Sequence, residues 1–463
     1  LAFNTFAWAG AVAAIAVVIS VPGAVVLGRR GLRAVPLLLA PLLLPTYFAY
    51  AAYTLLRAPG SPLGDWIARL SAGGDTATAA MAGRLTALAA LSLWSWPLAS
   101  LVIGTSLRRL DASVLDALRL EASAWRRRVE IARLVWPGVA GAFLLVLVVM
   151  LGSAVPFHLG QVKTSAILTW LTLQQTSSPI AAWPTAWPSV IAAVGAAWWI
   201  SGRLGRVRDA AGVEPVATRS PGLAAVLLGA VWVLSVVVPL VLFGMELKEP
   251  AAMARFWPLN GGAVSTSAGI ALGTAFAVGG VSLLAGAAVR GAHSWARRAA
   301  AFLLITAGLV PGILVGSAWS IASLAFPQWI GDSPMVLVLA HASRFAIVGV
   351  LAGAIVGASE PRELEEARQL DGAGGLFGWI RTAGRAGAPL LVGATLIAAA
   401  LSFHEIESSV LVQPPGLQNL AQRLLNDLHQ LRMDAMSAAA IWLVAGGLVF
   451  AIVASRVVSK WDA

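Results

Sequence analysis

The sequence predicts an all-α membrane protein with about eleven transmembrane helices. Three observations predict this fold class: an apolar composition, a series of long apolar stretches and a one-sided distribution of arginines. Hydrophobic residues make up 59% of the 463 residues and charged residues only 11%, whereas soluble domains carry about 25% charged residues. The mean hydropathy is +0.82, so most of the surface is predicted to face a lipid bilayer.

Each predicted span is an apolar stretch long enough for a helix to cross the hydrocarbon core. That core is roughly 30 Å thick and requires about 20 residues per helix. Proline and glycine within the stretches are expected to be tolerated, because neighbouring helices satisfy the freed backbone groups. The predicted spans are residues 6–27, 34–56, 78–104, 138–156, 185–201, 222–244, 263–289, 299–326, 335–357, 390–404 and 437–458.

Arginines indicate the orientation of these spans, because cytoplasmic loops are enriched in Lys and Arg. If the N-terminus lies outside, most arginines fall in inward-facing segments, including Arg126, Arg127 and Arg128. The net charge of +11 is therefore interpreted as topology, and nucleic acid is not expected as a partner. The predicted location is the inner (cytoplasmic) membrane of a bacterial cell, which the chain crosses several times.

The sequence also excludes several classes of chemistry. The chain contains no cysteine, so disulfides, thiolate metal sites and iron–sulfur clusters are ruled out. None of its lysines (Lys163, Lys248 and Lys460) follows a glycine, so no Walker A loop (GxxxxGKS/T) is present. No paired acids and no nucleophile–base cluster occur. We therefore expect no enzyme activity, no cofactor and no metal site in this chain, and ATP hydrolysis would belong to a separate subunit.

The order of features repeats along the chain, which predicts two units that run in the same direction. The first unit comprises residues 1–215 with five spans and the second residues 216–463 with six, and a polar stretch at 202–221 joins them. In each unit, a helix rich in small residues precedes a span with proline in its middle, a further span and a long charged loop. These loops, at 106–141 and 358–393, are predicted to face the cytoplasm.

The span at 222–244 has no counterpart in the first unit. The chain begins with Leu1 rather than Met, and no basic segment precedes its first apolar stretch. We interpret this start as a truncated N-terminus that lacks the matching helix, and not as a signal peptide.

The loop at 358–393 has the clearest local design. Pro361 suits the first turn of a helix, and the acids that follow it favour the positive N-terminal end of that helix. Gly372 is expected to end the helix, because glycine adopts positive φ without steric cost. A second short helix is expected at 376–386. The residues predicted to contact a partner are Glu365, Glu366, Ala367, Asp371 and Gly372.

At these residues the chain resembles the permease subunits of ABC importers. Their cytoplasmic loop has the pattern EAA, three residues, Gly, nine residues, I-x-L-P. Glu366, Ala367 and Gly372 match the E, the first A and the G, whereas Arg368 replaces the second A. The end of the pattern is replaced by Thr382, Gly384 and Arg385.

The first loop carries a weaker copy of the same pattern. Asp116, Ala117 and Ala122 stand at the E, A and Gly positions. For either loop, the alternative is an amphipathic helix on anionic lipid, and in the first loop the arginines at 126–128 would provide the contact.

Two fused units of this kind look most like the ferric-iron importer permeases, with thiamine and phosphonate importers in the same wider group. The resemblance implies a type I ABC importer fold, alternating access, and iron(III) as the expected solute. It also implies a cytoplasmic ABC ATPase dimer, with one copy beneath each coupling loop, and an extracytoplasmic substrate-binding protein. The alternative is a secondary transporter independent of ATP, which would need buried acids inside spans to bind coupling ions; the sequence places none well within a span.

Ionisable residues at membrane depth are further candidates for function. His341 and Arg344 lie one helical turn apart and share a face of the predicted helix. We interpret Arg344 as packed against a carbonyl. The alternative is a role for both residues in the pathway, in which Arg344 attracts an anionic or chelated solute. His404, Glu405 and Glu407 follow the span at 390–404, and we interpret them as a polar cap on a helix end rather than as a metal site.

Overall fold

A computed structural model describes residues 1–30, 35–71, 76–108, 110, 112–176, 178–204, 222–289 and 295–459. These residues form helices and connecting turns, and no strand occurs among them. The predicted linker lies outside the described residues from position 205 onwards, as does the predicted boundary between the units at 215 and 216. The all-α fold class is confirmed for the described part of the chain.

The helices before residue 205 comprise long rods and several short segments. A 3₁₀ turn at Ala40–Leu43 joins the second helix to the third. In chain order they are α1 (Ala2–Arg30), α2 (Val35–Leu39), α3 (Thr46–Leu55), α4 (Pro62–Ser71), α5 (Thr76–Arg108), α6 (Ala112–Glu121), α7 (Ala124–Gly152), α8 (Val155–Leu159), α9 (Ser165–Thr176) and α10 (Pro179–Leu204).

The helices after residue 221 follow a similar order, with π-helical turns at Val233–Val237 and Ile380–Gly384. They are α11 (Gly222–Trp232), α12 (Val238–Glu246), α13 (Ala251–Val289), α14 (Trp295–Leu309), α15 (Gly312–Ser323), α16 (Gln328–Gly331), α17 (Met335–Ser359), α18 (Arg362–Leu370), α19 (Leu376–Trp379), α20 (Ala388–Phe403), α21 (Leu420–His429) and α22 (Met433–Ser459).

Eight helices in the described part are long and apolar enough to cross a membrane, and two bent pairs raise the total to ten. The pairs are α14 with α15, bent by 111°, and Leu376–Gly384 with α20, bent by 100°. Each predicted span except 34–56 coincides with one of these elements, so a multi-pass membrane protein is supported. The stretch 34–56 instead contains α2, the 3₁₀ turn and α3, and the count of about eleven is not confirmed.

Two prolines that we expected inside continuous spans break their helices instead. Pro45 (φ −53°, ψ 142°) immediately precedes α3, and Pro311 (φ −48°, ψ 132°) immediately precedes α15. Proline lacks an N–H donor, and its ring clashes with the preceding turn. Each helix therefore ends before its proline and restarts in a new direction.

Helix packing follows the same scheme before and after the linker. α1 packs along α5, and α7 contacts both; α13 packs along α17, and α20 contacts both. The last long helix of each part crosses to the other part: α10 packs on α14, and α22 packs on α2 and the 3₁₀ turn. These two reciprocal contacts join the part of the chain before the linker to the part after it.

The pairing of α13 with α17 depends on small residues. A Cβ on Gly353 would overlap the carbonyl oxygen of Ser282, and one on Gly357 would overlap that of Gly286. Such close backbone approach is characteristic of helix interfaces in membranes. The small residues noted in the sequence therefore hold α17 against α13.

Candidate functional site

The second predicted coupling loop begins with residues 360–373, which connect the end of α17 to α18 and include α18; we call them the corner. Pro361 (φ −58°, ψ 142°) caps α18, and Glu363 and Glu365 lie in its first turn. Their negative charges favour this end of the helix, where free N–H groups leave partial positive charge. The short helix predicted after Pro361 is therefore confirmed.

Gly372 ends α18 as predicted. Its φ is +71°, a conformation that side chains with a Cβ rarely adopt. The N–H of Ala373 donates to the carbonyl oxygen of Arg368 (2.9 Å), and the N–H of Gly372 donates to that of Gln369 (3.1 Å). These two bonds form a Schellman motif, which satisfies carbonyls that the helix end leaves free.

Arg368, which replaces the second alanine of the resembled pattern, has a structural role. Its Nε and Nη2 atoms donate to the two carboxylate oxygens of Glu360, each at 3.3 Å. Both side chains are buried, and Nη1 of Arg368 also reaches the carbonyl oxygen of Ala373 (3.5 Å). The ion pair fixes α18 to the end of α17. No periodic pattern in the sequence indicates this pair, because Glu360 lies before the helix that carries Arg368.

The remaining residues of the corner face outwards. Glu366, Ala367, Asp371 and Gly372 are exposed, and Glu365 is half-buried. Leu370 lies among them and is 89% exposed.

The corresponding segment of the first loop has a different geometry. Asp116 and Ala117 are exposed on α6, and Ala122 is half-buried just after it. Leu120 is 88% exposed and aligns with Leu370 when Asp116 is aligned with Glu366. Ala122 does not have positive φ, and α7 is continuous from Ala124 to Gly152. The two loops therefore share an exposed leucine, but only the second ends its helix at a glycine. We call residues 116–122 the first corner; the two corners are this segment and the corner at 360–373.

A second site lies in the core, where Arg344 of α17 meets two carboxylates that follow α20. Its Nη1 donates to Oε1 of Glu405 (3.0 Å), and its Nη2 donates to Oε2 of Glu407 (2.9 Å). Oε1 of Glu407 accepts the backbone N–H of Ala154 (3.2 Å), and Oε1 of Glu405 accepts that of Ser408 (3.0 Å). We call Arg344, Glu405 and Glu407 the charge cluster.

His341 lies beside the charge cluster but does not join it. Its Nδ1 is hydrogen-bonded to the hydroxyl of Ser402 (2.7 Å), and its Nε2 to that of Ser409 (2.8 Å). The hydroxyl of Ser402 in turn contacts that of Thr274 on α13 (3.1 Å). Both ring nitrogens are therefore occupied, and the ring ties α17 to the end of α20 and the turn that follows it.

These contacts correct three sequence-based interpretations. Arg344 pairs with carboxylates and not with a carbonyl. Glu405 and Glu407 are buried, so they are not an exposed cap on a helix end. Buried acids therefore do occur beside a span, which removes one objection to the secondary transporter. Within the described residues, no group of three or more His, Cys, Asp or Glu side chains could hold a metal ion.

The charge cluster lies where the two parts of the chain meet. The end of α7 abuts the break at Pro311, since a Cβ on Gly152 would lie 3.2 Å from the Cα of Pro311. Reciprocally, Nε2 of His404, just after α20, donates to the carbonyl oxygen of Leu42 near the break at Pro45 (3.1 Å). The end of α7 thus packs against the break at Pro311, and the end of α20 packs near the break at Pro45.

The break at Pro45 has apolar surroundings. Trp94 and Phe157 are buried in one hydrophobic cluster with Leu42 and Ala49, which flank Pro45. Nε1 of Trp94 donates to the carbonyl oxygen of Leu44 (2.7 Å), directly before Pro45. An aromatic cluster therefore packs against one break and an ionic cluster against the other.

No family model matches the chain, and no curated protein or solved structure matches it significantly. The resemblance to ABC importer permeases therefore rests on Glu366, Ala367, Gly372 and the order of the helices. Function is best argued from the exposed corner and the charge cluster.

Proposed function

We propose that this protein is the permease component of an ABC importer, with two permease units in one polypeptide. It moves a small solute, with iron(III) as the expected cargo, across the bacterial cytoplasmic membrane by alternating access. An ATPase dimer docks on the cytoplasmic corners, and a binding protein delivers the solute from the other side. The observation that carries this proposal is the rigid corner at 360–373, which presents Glu366, Ala367 and Leu370 outwards.

The charge of the corner favours a protein partner over a lipid surface. Between positions 360 and 373, Glu363, Glu366 and Asp371 are exposed against one exposed arginine, Arg362, because the charge of Arg368 is buried against Glu360. Anionic headgroups attract basic segments and repel acidic ones. The lipid alternative is therefore disfavoured for residues 360–373. It stays open for the first loop, where Arg126 and Arg128 are exposed.

The corner is mechanically connected to the core. The pair of Glu360 and Arg368 fixes α18 to α17, and α17 carries Arg344. Fifteen residues of helix separate Arg344 from Ser359, a distance of about 22 Å at about 1.5 Å per residue. When ATP closes the ATPase dimer and draws the two corners together, α17 transmits the movement to the contact between the two parts.

Two charge-altering substitutions test the docking site. Gly372→Asp forces a Cβ into positive φ and adds a negative charge, and Glu366→Lys reverses a charge on the exposed face. Both are expected to abolish iron(III) uptake and association with the ATPase, while membrane insertion is retained. The measurements are uptake of radiolabelled iron(III) by cells and co-purification of the ATPase.

The loop offers matched controls for both changes. Gly374 does not have positive φ, and a Cβ there would meet only the side chain of Gln369 at 3.9 Å, so Gly374→Asp adds the same charge without the strain. Glu363→Lys reverses a charge one turn away. Both controls should retain uptake and ATPase association. Normal uptake by Gly372→Asp and Glu366→Lys would refute the proposal.

An ATP-independent secondary transporter is the second candidate, and the burial of Glu405 and Glu407 favours it. Buried carboxylates beside a membrane span are the groups that bind coupling ions in such carriers. The two candidates differ in their energy source, since only the importer requires ATP.

A further inference from the structure

We propose that the charge cluster is the gate of the pathway between the two parts of the chain. In this state the gate is closed by the contact of Glu407 with Ala154, and this contact breaks when the parts separate. The inference rests on the proposed alternating access and adds to it the residues that open and close. It assigns a role to Arg344, Glu405 and Glu407 that is independent of ATPase docking.

The location of the gate is inferred from which hydrogen bonds lie within the second part of the chain and which one crosses to the first part. Arg344, Glu405 and Glu407 all belong to the second part, where His341 additionally ties α17 to Ser402 and Ser409. The bond from the Ala154 N–H to Oε1 of Glu407 (3.2 Å) crosses to the first part. Separation of the parts therefore leaves the ion pairs intact and breaks the bond to Ala154.

Packing alone does not require charges at this place. In the first part, Trp94 lies in an apolar cluster and satisfies the carbonyl oxygen before Pro45 without any ionic group. A buried ion pair contributes little net stability, because desolvation offsets the attraction between the charges. The charges of Arg344, Glu405 and Glu407 are thus better explained by a site that is exposed to water in one state and buried in the other than by a contribution to the stability of the fold.

A contact made by a charged group can be buried in one state and hydrated in the other with little change in free energy. When the parts separate, the Glu407 carboxylate exchanges the N–H of Ala154 for water, whereas an apolar contact would lose its burial outright. Arg344 is partly exposed, with 20% of its side chain accessible, against 10% for each carboxylate.

Both sides of the ion pair are connected to the cytoplasmic corner. Arg344 belongs to α17, which the pair of Glu360 and Arg368 joins to α18. The carboxylates follow α20, which begins directly after the 100° bend from the segment Leu376–Gly384. A displacement of the corner therefore reaches the gate through α17 and α20 together.

Accessibility of a thiol at Ser153 tests the gate. The chain has no cysteine, so a single Ser153→Cys substitution reports on one position. Ser153 is buried, directly precedes Ala154, and its hydroxyl has no hydrogen-bond partner among the described residues. The thiol therefore replaces the hydroxyl without loss of a bond. The purified chain is reconstituted in liposomes without an ATPase and treated with a water-soluble thiol reagent.

We expect slow modification in the parent and about tenfold faster modification when Glu407→Ala is added, because a hydrogen bond to a charged group accounts for a factor of that order. Glu407→Gln should give an intermediate rate, since its amide oxygen can still accept the N–H of Ala154. Asp427→Ala is the control. Asp427 is another buried carboxylate; it lies on α21 rather than on α17 or α20, and pairs with Arg432 (3.4 Å). This variant should leave the parent rate unchanged.

Parent-like rates in both Glu407 variants would overturn the inference, and so would equal acceleration by Asp427→Ala. If Glu407→Ala fails to fold by gel filtration, Glu407→Gln decides alone, and a parent-like rate overturns the inference. No ATPase is present in this assay. Normal uptake by Gly372→Asp and Glu366→Lys, together with the expected thiol rates here, would refute the ATP-driven importer and retain the gate. Loss of uptake in those variants, together with parent-like thiol rates here, would remove the gate alone.

Discussion

Arg368 departs from the resembled pattern, which has alanine at this position. Here the guanidinium turns inwards to Glu360, while Glu366 and Ala367 remain exposed. Gly372 supplies the other fixed point of the corner through its positive φ of +71°. The exposed face can therefore be conserved in shape while the residue beneath it changes.

Restoring alanine at position 368 is expected to destabilise the protein. Arg368→Ala removes the guanidinium from a buried carboxylate, which costs about 3 kcal/mol when one partner of a buried pair is lost. Exposed Arg362→Ala on the same helix should cost nearly nothing. Thermal unfolding in detergent measures both. The double variant Glu360→Gln with Arg368→Ala should recover part of the loss, and equal effects of Arg368→Ala and Arg362→Ala would contradict the role given to the pair.

At the scale of helices, hydropathy and turn chemistry predicted most of the elements. The apolar stretches located every long helix of the described part, because the length of an apolar stretch is a local property. Pro361 and Gly372 predicted the bounds of α18 for the same reason. The breaks at Pro45 and Pro311 were missed, since whether proline kinks or interrupts a helix depends on the helices packed around it.

The charge cluster could be predicted only in part. Arg344 stood out because it lies within an apolar stretch, but its partners did not. Glu405 and Glu407 follow the end of α20, and a local reading places residues after a helix end at the surface. In the structure, the segment after α20 packs back into the core. The burial of that segment depends on tertiary packing, which leaves no periodic pattern of apolar residues in the sequence.

At the scale of the molecule, the parallel repeat predicts that both corners lie on the cytoplasmic side. Single cysteines in this cysteine-free chain can test the orientation. Ala124→Cys and Ala373→Cys, both at exposed positions near the corners, should react with a membrane-impermeant thiol reagent only after cells are permeabilised. Gln175→Cys and Gln328→Cys, at exposed positions in segments that the predicted topology places outside, should react in intact cells.

The outcome distinguishes parallel from inverted repeats. Reaction of Ala124→Cys and Ala373→Cys on opposite sides of the membrane would contradict the parallel arrangement. Reaction of both in intact cells would reverse the orientation deduced from the arginines. The reciprocal packing of α10 on α14 and of α22 on α2 is the structural reason to expect both corners on one side.

The most direct test of the central claim compares energy sources for uptake. Right-side-out membrane vesicles from the source cells, with the gene intact or deleted, are loaded with ATP or depleted of it, and radiolabelled iron(III) is supplied outside. An ABC importer requires both the gene and internal ATP, and collapse of the proton and sodium gradients leaves its uptake unchanged. Gene-dependent uptake in ATP-depleted vesicles, driven by an imposed ion gradient alone, would contradict it and identify a secondary transporter.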